Sequence, residues 1–97
     1  MENIFKKFNI EIEQAQDSTI EIDTNVKTEN TTYSAQLIHP KYGDILVAID
    51  WEEDGDKVYV TVPAGLPAGH YILVVAYSTD GEEYFRLTRG YIEIKPT

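Results

Sequence analysis

Five carboxylates crowd into one short stretch, Asp50, Glu52, Glu53, Asp54 and Asp56, and the first chemistry to weigh is cation binding. Calcium takes about six to eight oxygen ligands in a defined geometry. Asp54-Gly55-Asp56 has the composition of such a loop, but no bidentate glutamate closes it at the required spacing, so the stretch describes a solvated hairpin turn and no metal is expected. His39 and His70 are the only histidines and lie far apart with no third ligand in view, which suits surface histidines better than a zinc site. With no cysteine there is no disulfide, thiolate ligand or thiol nucleophile. No Gly-x-Ser-x-Gly elbow or phosphate-cradling glycine loop occurs, and the carboxylates all fall on outward strand positions or turns. No active site and no cofactor are expected.

Recognition is the other chemistry. Residues 1–56 hold 13 acidic and 4 basic side chains, a net of −9, while residues 57–97 hold 4 of each. The neutral second half carries Tyr59, Tyr84 and Tyr91 beside Arg86 and Arg89, residue types enriched at protein–protein contacts. These five are the candidate docking surface, although aromatics on strands are also plain strand formers. A pI near 4.5 argues against nucleic acid or an anionic membrane as partner. Trp51 with Tyr42 or Tyr59 is the one candidate aromatic platform for a glycan.

The elements that must hold these residues are strands. Ile, Thr, Val, Tyr, Phe and Trp make up 38 of 97 residues, and Leu and Ala are scarce. Apolar residues alternate at Phe8, Ile10 and Ile12, at Ile20 and Ile22, and at Val58, Val60 and Val62. Further strands are predicted over 32–38, stopped by His39-Pro40, and over 45–51, with Gly43 at the turn between them. Residues 71–77 are apolar throughout, which predicts a strand covered on both faces. Asp80-Gly81 signals a hairpin turn, followed by strands over 84–88 and 91–95 broken at Gly90. Residues 24–31 read as a polar loop and 1–7 as an N-terminal arm. The length fits one domain, 1–97, and the pattern predicts an all-β sandwich of two antiparallel sheets with seven to eight strands.

Leu66-Pro67-Ala68-Gly69-His70-Tyr71, ahead of the most apolar strand, is the most informative stretch. Immunoglobulin-like sandwiches place a tyrosine near the start of such a strand, its hydroxyl bonded to backbone a few residues upstream. Tyr71 fits that corner, with Pro67 and Gly69 supplying the tight loop; a simple core role is the alternative. Together with Tyr33-Ser34-Ala35-Gln36-Leu37, His39-Pro40-Lys41-Tyr42-Gly43-Asp44, Asp80-Gly81, Leu87 and Gly90, this order resembles small immunoglobulin-like β-sandwich virion proteins of tailed bacteriophages. It is similar also to the N-terminal domain of phage baseplate upper proteins. The resemblance runs from Phe8 to the end and rests on turns and core positions; the 24–31 loop and the 52–56 turn lie outside it.

The resemblance implies a non-enzymatic structural protein, an auxiliary or decoration subunit bound to the major capsid protein or other virion proteins. A place at the baseplate, tail-fibre adaptor or head–tail connector is the alternative, and a host-glycan module a further one. No signal peptide is visible at the start and no run is apolar enough for a membrane helix, so assembly in the host cytoplasm and a final place in the virion are expected.

Overall fold

A computed structural model describes residues 9–24 and 29–96 of the chain. The expected arm over residues 1–7 lies outside the described residues, as does the middle of the polar loop. Eight strands follow in order among the described residues: β1 (Asn9–Glu13), β2 (Ser18–Asp23), β3 (Thr32–His39), β4 (Gly43–Leu46), β5 (Ala48–Trp51), β6 (Lys57–Val62), β7 (Gly69–Ser78) and β8 (Phe85–Lys95). They form two sheets, one of order β1-β8-β7-β3-β4 and one of order β2-β6-β5. No helix among the described residues is long and apolar enough to cross a membrane.

The two sheets close over one core. The larger sheet contributes Ile12, Leu37, Tyr71, Leu73, Val75 and Ile92, and the smaller contributes Ile20, Ile22, Val58, Val60 and Val62. Strand periodicity explains which residues these are. In β6 the valines are buried while Lys57, Tyr59 and Thr61 stay half-exposed. Burying each such side chain is worth roughly 1.5–3 kcal/mol, set against the conformational entropy of ordering the chain.

Four expectations change in three dimensions. The larger sheet is mixed, because β1 runs parallel to β8 with Ile10 opposite Ile92; apolar alternation encodes which face a residue takes but not the direction of its neighbour. The single strand expected over 45–51 divides at Val47, so that β4 pairs with β3 and β5 pairs with β6. Val47 itself is buried, and its N–H donates to the Ala35 carbonyl at 3.2 Å, so the crossing leaves that donor satisfied. In β7 only one face is sealed. Tyr71, Leu73 and Val75 are buried, whereas Ile72, Val74 and Ala76 are half-buried on the outer face. Finally, β8 runs through Gly90 without a break, and the irregularity lies earlier, where Val75 pairs with Thr88 but Ala76 with Arg86.

The segment between β1 and β2 crosses from one sheet to the other and is stapled to the β6–β7 turn. Gln14 N–H donates to the Lys95 carbonyl at 3.0 Å, its side-chain Nε2 donates to the Leu66 carbonyl at 2.9 Å, and Gly65 N–H donates to the Gln14 carbonyl at 2.9 Å. Asp17 accepts from Ala64 N–H at 2.8 Å. Gly65 makes this approach at φ 91°, a left-handed conformation that an L side chain resists.

Candidate functional site

The β6–β7 turn sets the start of β7, and β7 in turn carries the middle of the larger sheet's outer face. Tyr71 Oη donates to the Pro67 carbonyl at 2.7 Å, four residues upstream, as its place in the sequence predicts. The side chain is buried; loss of solvent, and then the nearby Tyr42, push its phenol above the ordinary value. Gly69 enters the strand at φ 146°, and a Cβ there would come within 3.5 Å of His39 Nε2.

His39 is half-buried and held in place by its neighbours. Its ring lies 5.0 Å from that of Tyr71 and 4.6 Å from that of Tyr42. Its Nδ1 accepts from Lys41 N–H at 3.0 Å and Tyr42 N–H at 3.3 Å, closing the β3–β4 turn. The histidine is thereby a structural wedge between the turn and the tyrosine corner. His70, by contrast, is exposed on the outer face of β7.

That outer face is unlike the rest of the molecule. Neither β3 nor β7 contains Asp, Glu, Lys or Arg, although the chain carries a charge of −9. Ile38 pairs with Ile72, and Ile72 with Tyr91, so three apolar side chains form a row across the middle of the sheet. Gln36, Val74 and Arg89 form the next row, to which Leu46 of β4 belongs. A shallow apolar groove of about 300 Å³ runs along Ile38, Pro40, His70, Ile72 and Tyr91. Among the described residues, Leu46, at 76% exposure on this face, and Phe85, at 52% where β8 begins opposite Tyr77, are the most exposed large apolar residues.

The five proposed docking residues therefore divide. Arg86, Arg89 and Tyr91 lie on the outer face of β8, and Tyr84 stands just before that strand at the hairpin end, 45% exposed. Tyr59 does not join them. It lies on the opposite sheet, where its hydroxyl donates to Glu52 Oε1 at 2.8 Å, and this bond to a carboxylate holds the phenol above its ordinary value. Its neighbours there are acidic: Glu21, opposite it on β2, and Asp50, opposite it on β5. The correction follows from pairing, since a strand of the second half of the chain was recruited into the sheet made by the first half. Sequence reasoning also missed Phe85, Leu46, Ile38 and Ile72. For Ile38 and Ile72 the usable signal was the complete absence of Asp, Glu, Lys and Arg over 32–39 and 69–78.

The aromatic platform is not assembled either. Trp51 is half-buried and packs edge-on against Tyr33 at 5.1 Å, whereas Tyr59 points to the far side of its sheet and Tyr42 stacks on His39. In the acidic turn, Asp50 Oδ1 accepts from Trp51 N–H at 2.9 Å and Glu52 is held by Tyr59. No three His, Asp or Glu side chains among the described residues converge to hold a metal ion.

No protein-family model matches the chain, and no curated protein matches it in sequence.

Proposed function

We propose that this chain is an immunoglobulin-like β-sandwich acting as a non-enzymatic structural subunit of a tailed-phage virion, attached to the capsid shell as an auxiliary or decoration protein. The immunoglobulin-like reading is supported by the strand order, with a parallel first strand beside the last and a tyrosine corner opening the penultimate strand. The adhesive reading is carried by one observation: in a strongly acidic chain, the larger sheet has an uncharged outer middle with exposed aromatics and arginines along one side. An interface core excludes unpaired charge because desolvating it is costly. The acidic outer face of the smaller sheet then faces solvent.

Attachment is assigned to the β7–β8 hairpin end, where Tyr84, Phe85 and Arg86 stand. The test is co-sedimentation of the purified protein with particles lacking it, across a salt series. Wild type is expected to pellet with the particles. A Tyr84→Ser, Arg86→Glu variant is expected to bind at least tenfold more weakly while keeping its denaturation midpoint. Undiminished binding by that variant, with binding lost on charge reversal at Glu21 and Asp50, would move the docking face to the acidic sheet. A wild-type protein that never pellets overturns the capsid reading.

A further inference from the structure

We infer that two copies of this chain pair face to face through the outer surface of the five-stranded sheet, on a two-fold axis lying along the row Ile38–Ile72–Tyr91. The pairing buries the uncharged face on which the adhesive reading rests and leaves the hairpin end free for the shell. It gives Arg89 and Tyr91 to self-contact instead of the shell.

The warrant is the charge pattern about that row. Along β8, Arg89 comes two residues before Tyr91 and Glu93 two residues after it, each roughly 7 Å from the row. An axis along the row reverses strand direction between copies, so row residues meet their own counterparts. Arg89 then faces Glu93 of the other copy, twice over. Val74 faces His70, since these flank Ile72 in the same way. An axis along the strands does not pair these charges: on β8 it stacks Arg89 on Arg89 and Glu93 on Glu93, and on the central strand β7 it sets β8 against β3, so that Arg89 faces Gln36. The face is thus self-complementary in one arrangement only. Asp44, which ends the row on the edge strand β4, would meet its counterpart at the exposed rim of the contact, where water reaches both carboxylates.

Within one copy these two charges are available. Arg89 makes no ion pair among the described residues, and the Lys95 ammonium lies 3.0 Å from Glu11, its bonded partner, with Glu93 adding a weaker attraction. Arginine–carboxylate contacts are among the stronger hydrogen-bonded pairs when water is excluded. The area is sufficient too. Strands of 4 to 11 residues at about 3.3 Å per residue and about 4.8 Å spacing offer roughly 600 Å² as a flat projection, and side-chain relief raises this toward the ~800 Å² per partner of an ordinary stable interface. Tyr91, half-exposed at the centre, is the kind of residue that anchors such a contact.

Sedimentation equilibrium of the full chain and its variants provides the test. Wild type is expected to be dimeric at about 100 µM. Arg89→Glu and Glu93→Arg should each be monomeric, because each places like charges opposite one another. Mixed in equal amounts, the two monomeric variants should form a heterodimer, and the double exchange R89E/E93R should dimerise alone. Arg89→Gln is the milder companion, expected to weaken dimerisation on the order of tenfold with an unchanged denaturation midpoint. A monomeric wild type, single variants that stay dimeric, or a mixture that stays monomeric would each overturn the pairing. The particle-binding assay is read separately: a monomer that decorates sinks the pairing alone, and a dimer that does not decorate sinks the virion reading alone.

Discussion

Tyr71 links three things that are separate in the chain: the Pro67 carbonyl in the β6–β7 turn, the buried start of β7, and the ring of His39 in the β3–β4 turn. Its hydroxyl sits in a region poor in water, so the Pro67 carbonyl depends on it for one of its hydrogen bonds. Removing the hydroxyl in Tyr71→Phe keeps the ring packing and deletes that bond. The expected cost is about 0.5–1.5 kcal/mol, rising to about 3 kcal/mol if the carbonyl is left dry. Urea denaturation checks it through a lower midpoint at unchanged slope. The folded phenol titrates above its unfolded value of 10.0, so its contribution is complete below that pH and is lost as pH rises beyond it. The gap between wild type and variant should therefore narrow in alkali; a midpoint identical at neutral pH would remove the corner assignment.

The β7–β8 hairpin is organised by one carboxylate. Asp80 Oδ1 accepts from Glu82 N–H at 2.8 Å, Glu83 N–H at 3.0 Å and Ser78 Oγ at 2.9 Å, while Ser78 Oγ accepts from Gly81 N–H at 2.8 Å. The Glu82 and Glu83 amides, and then Ser78, hold Asp80 below its ordinary 3.8. A carboxyl lowered on folding stabilises the native state above its unfolded pKa, and the contribution disappears as pH falls through the folded value. Asp80→Asn keeps the shape of the acceptor and removes the charge. Wild type should be the more stable above about pH 5, and the two midpoints should converge on acidification below 3.8. A pH-independent difference would mean that the carboxylate's charge does not organise the turn. The turn was legible in Asp80-Gly81, but its length was not, because the cap satisfies the amides of Glu82 and Glu83 and so delays β8 until Phe85.

Across the molecule, charge is unevenly shared. Lys57 bonds Glu21 at 3.5 Å and Lys95 bonds Glu11 at 3.0 Å, both on exposed surface where ion pairs contribute little. Against them stands a net charge of −9, which repels itself in the compact state. Raising sodium chloride from about 20 mM to about 500 mM shortens the Debye length severalfold. The melting temperature should then rise by roughly 2–5 °C, measured at low micromolar protein so that self-association contributes least. A flat or falling response would mean that the surface ion pairs outweigh the repulsion.

The all-β composition, the alternation that divides Val58, Val60 and Val62 from Lys57, Tyr59 and Thr61, and the bond from Tyr71 to the Pro67 carbonyl were all written in local order, because side-chain period and turn chemistry act over a few residues. So was the uncharged character of 32–39 and 69–78. Tertiary structure alone decided the rest. Parallel β1 beside β8, the passage of one apolar run between sheets at Val47, and the placing of Tyr59 on the acidic sheet all depend on which strand hydrogen-bonds to which. Pairing joins residues as distant as Asn9 and Tyr91, and alternation along one strand carries no record of its neighbour. The row Ile38–Ile72–Tyr91, with Arg89 and Glu93 set evenly about it, exists only once three strands from separate parts of the chain lie in register.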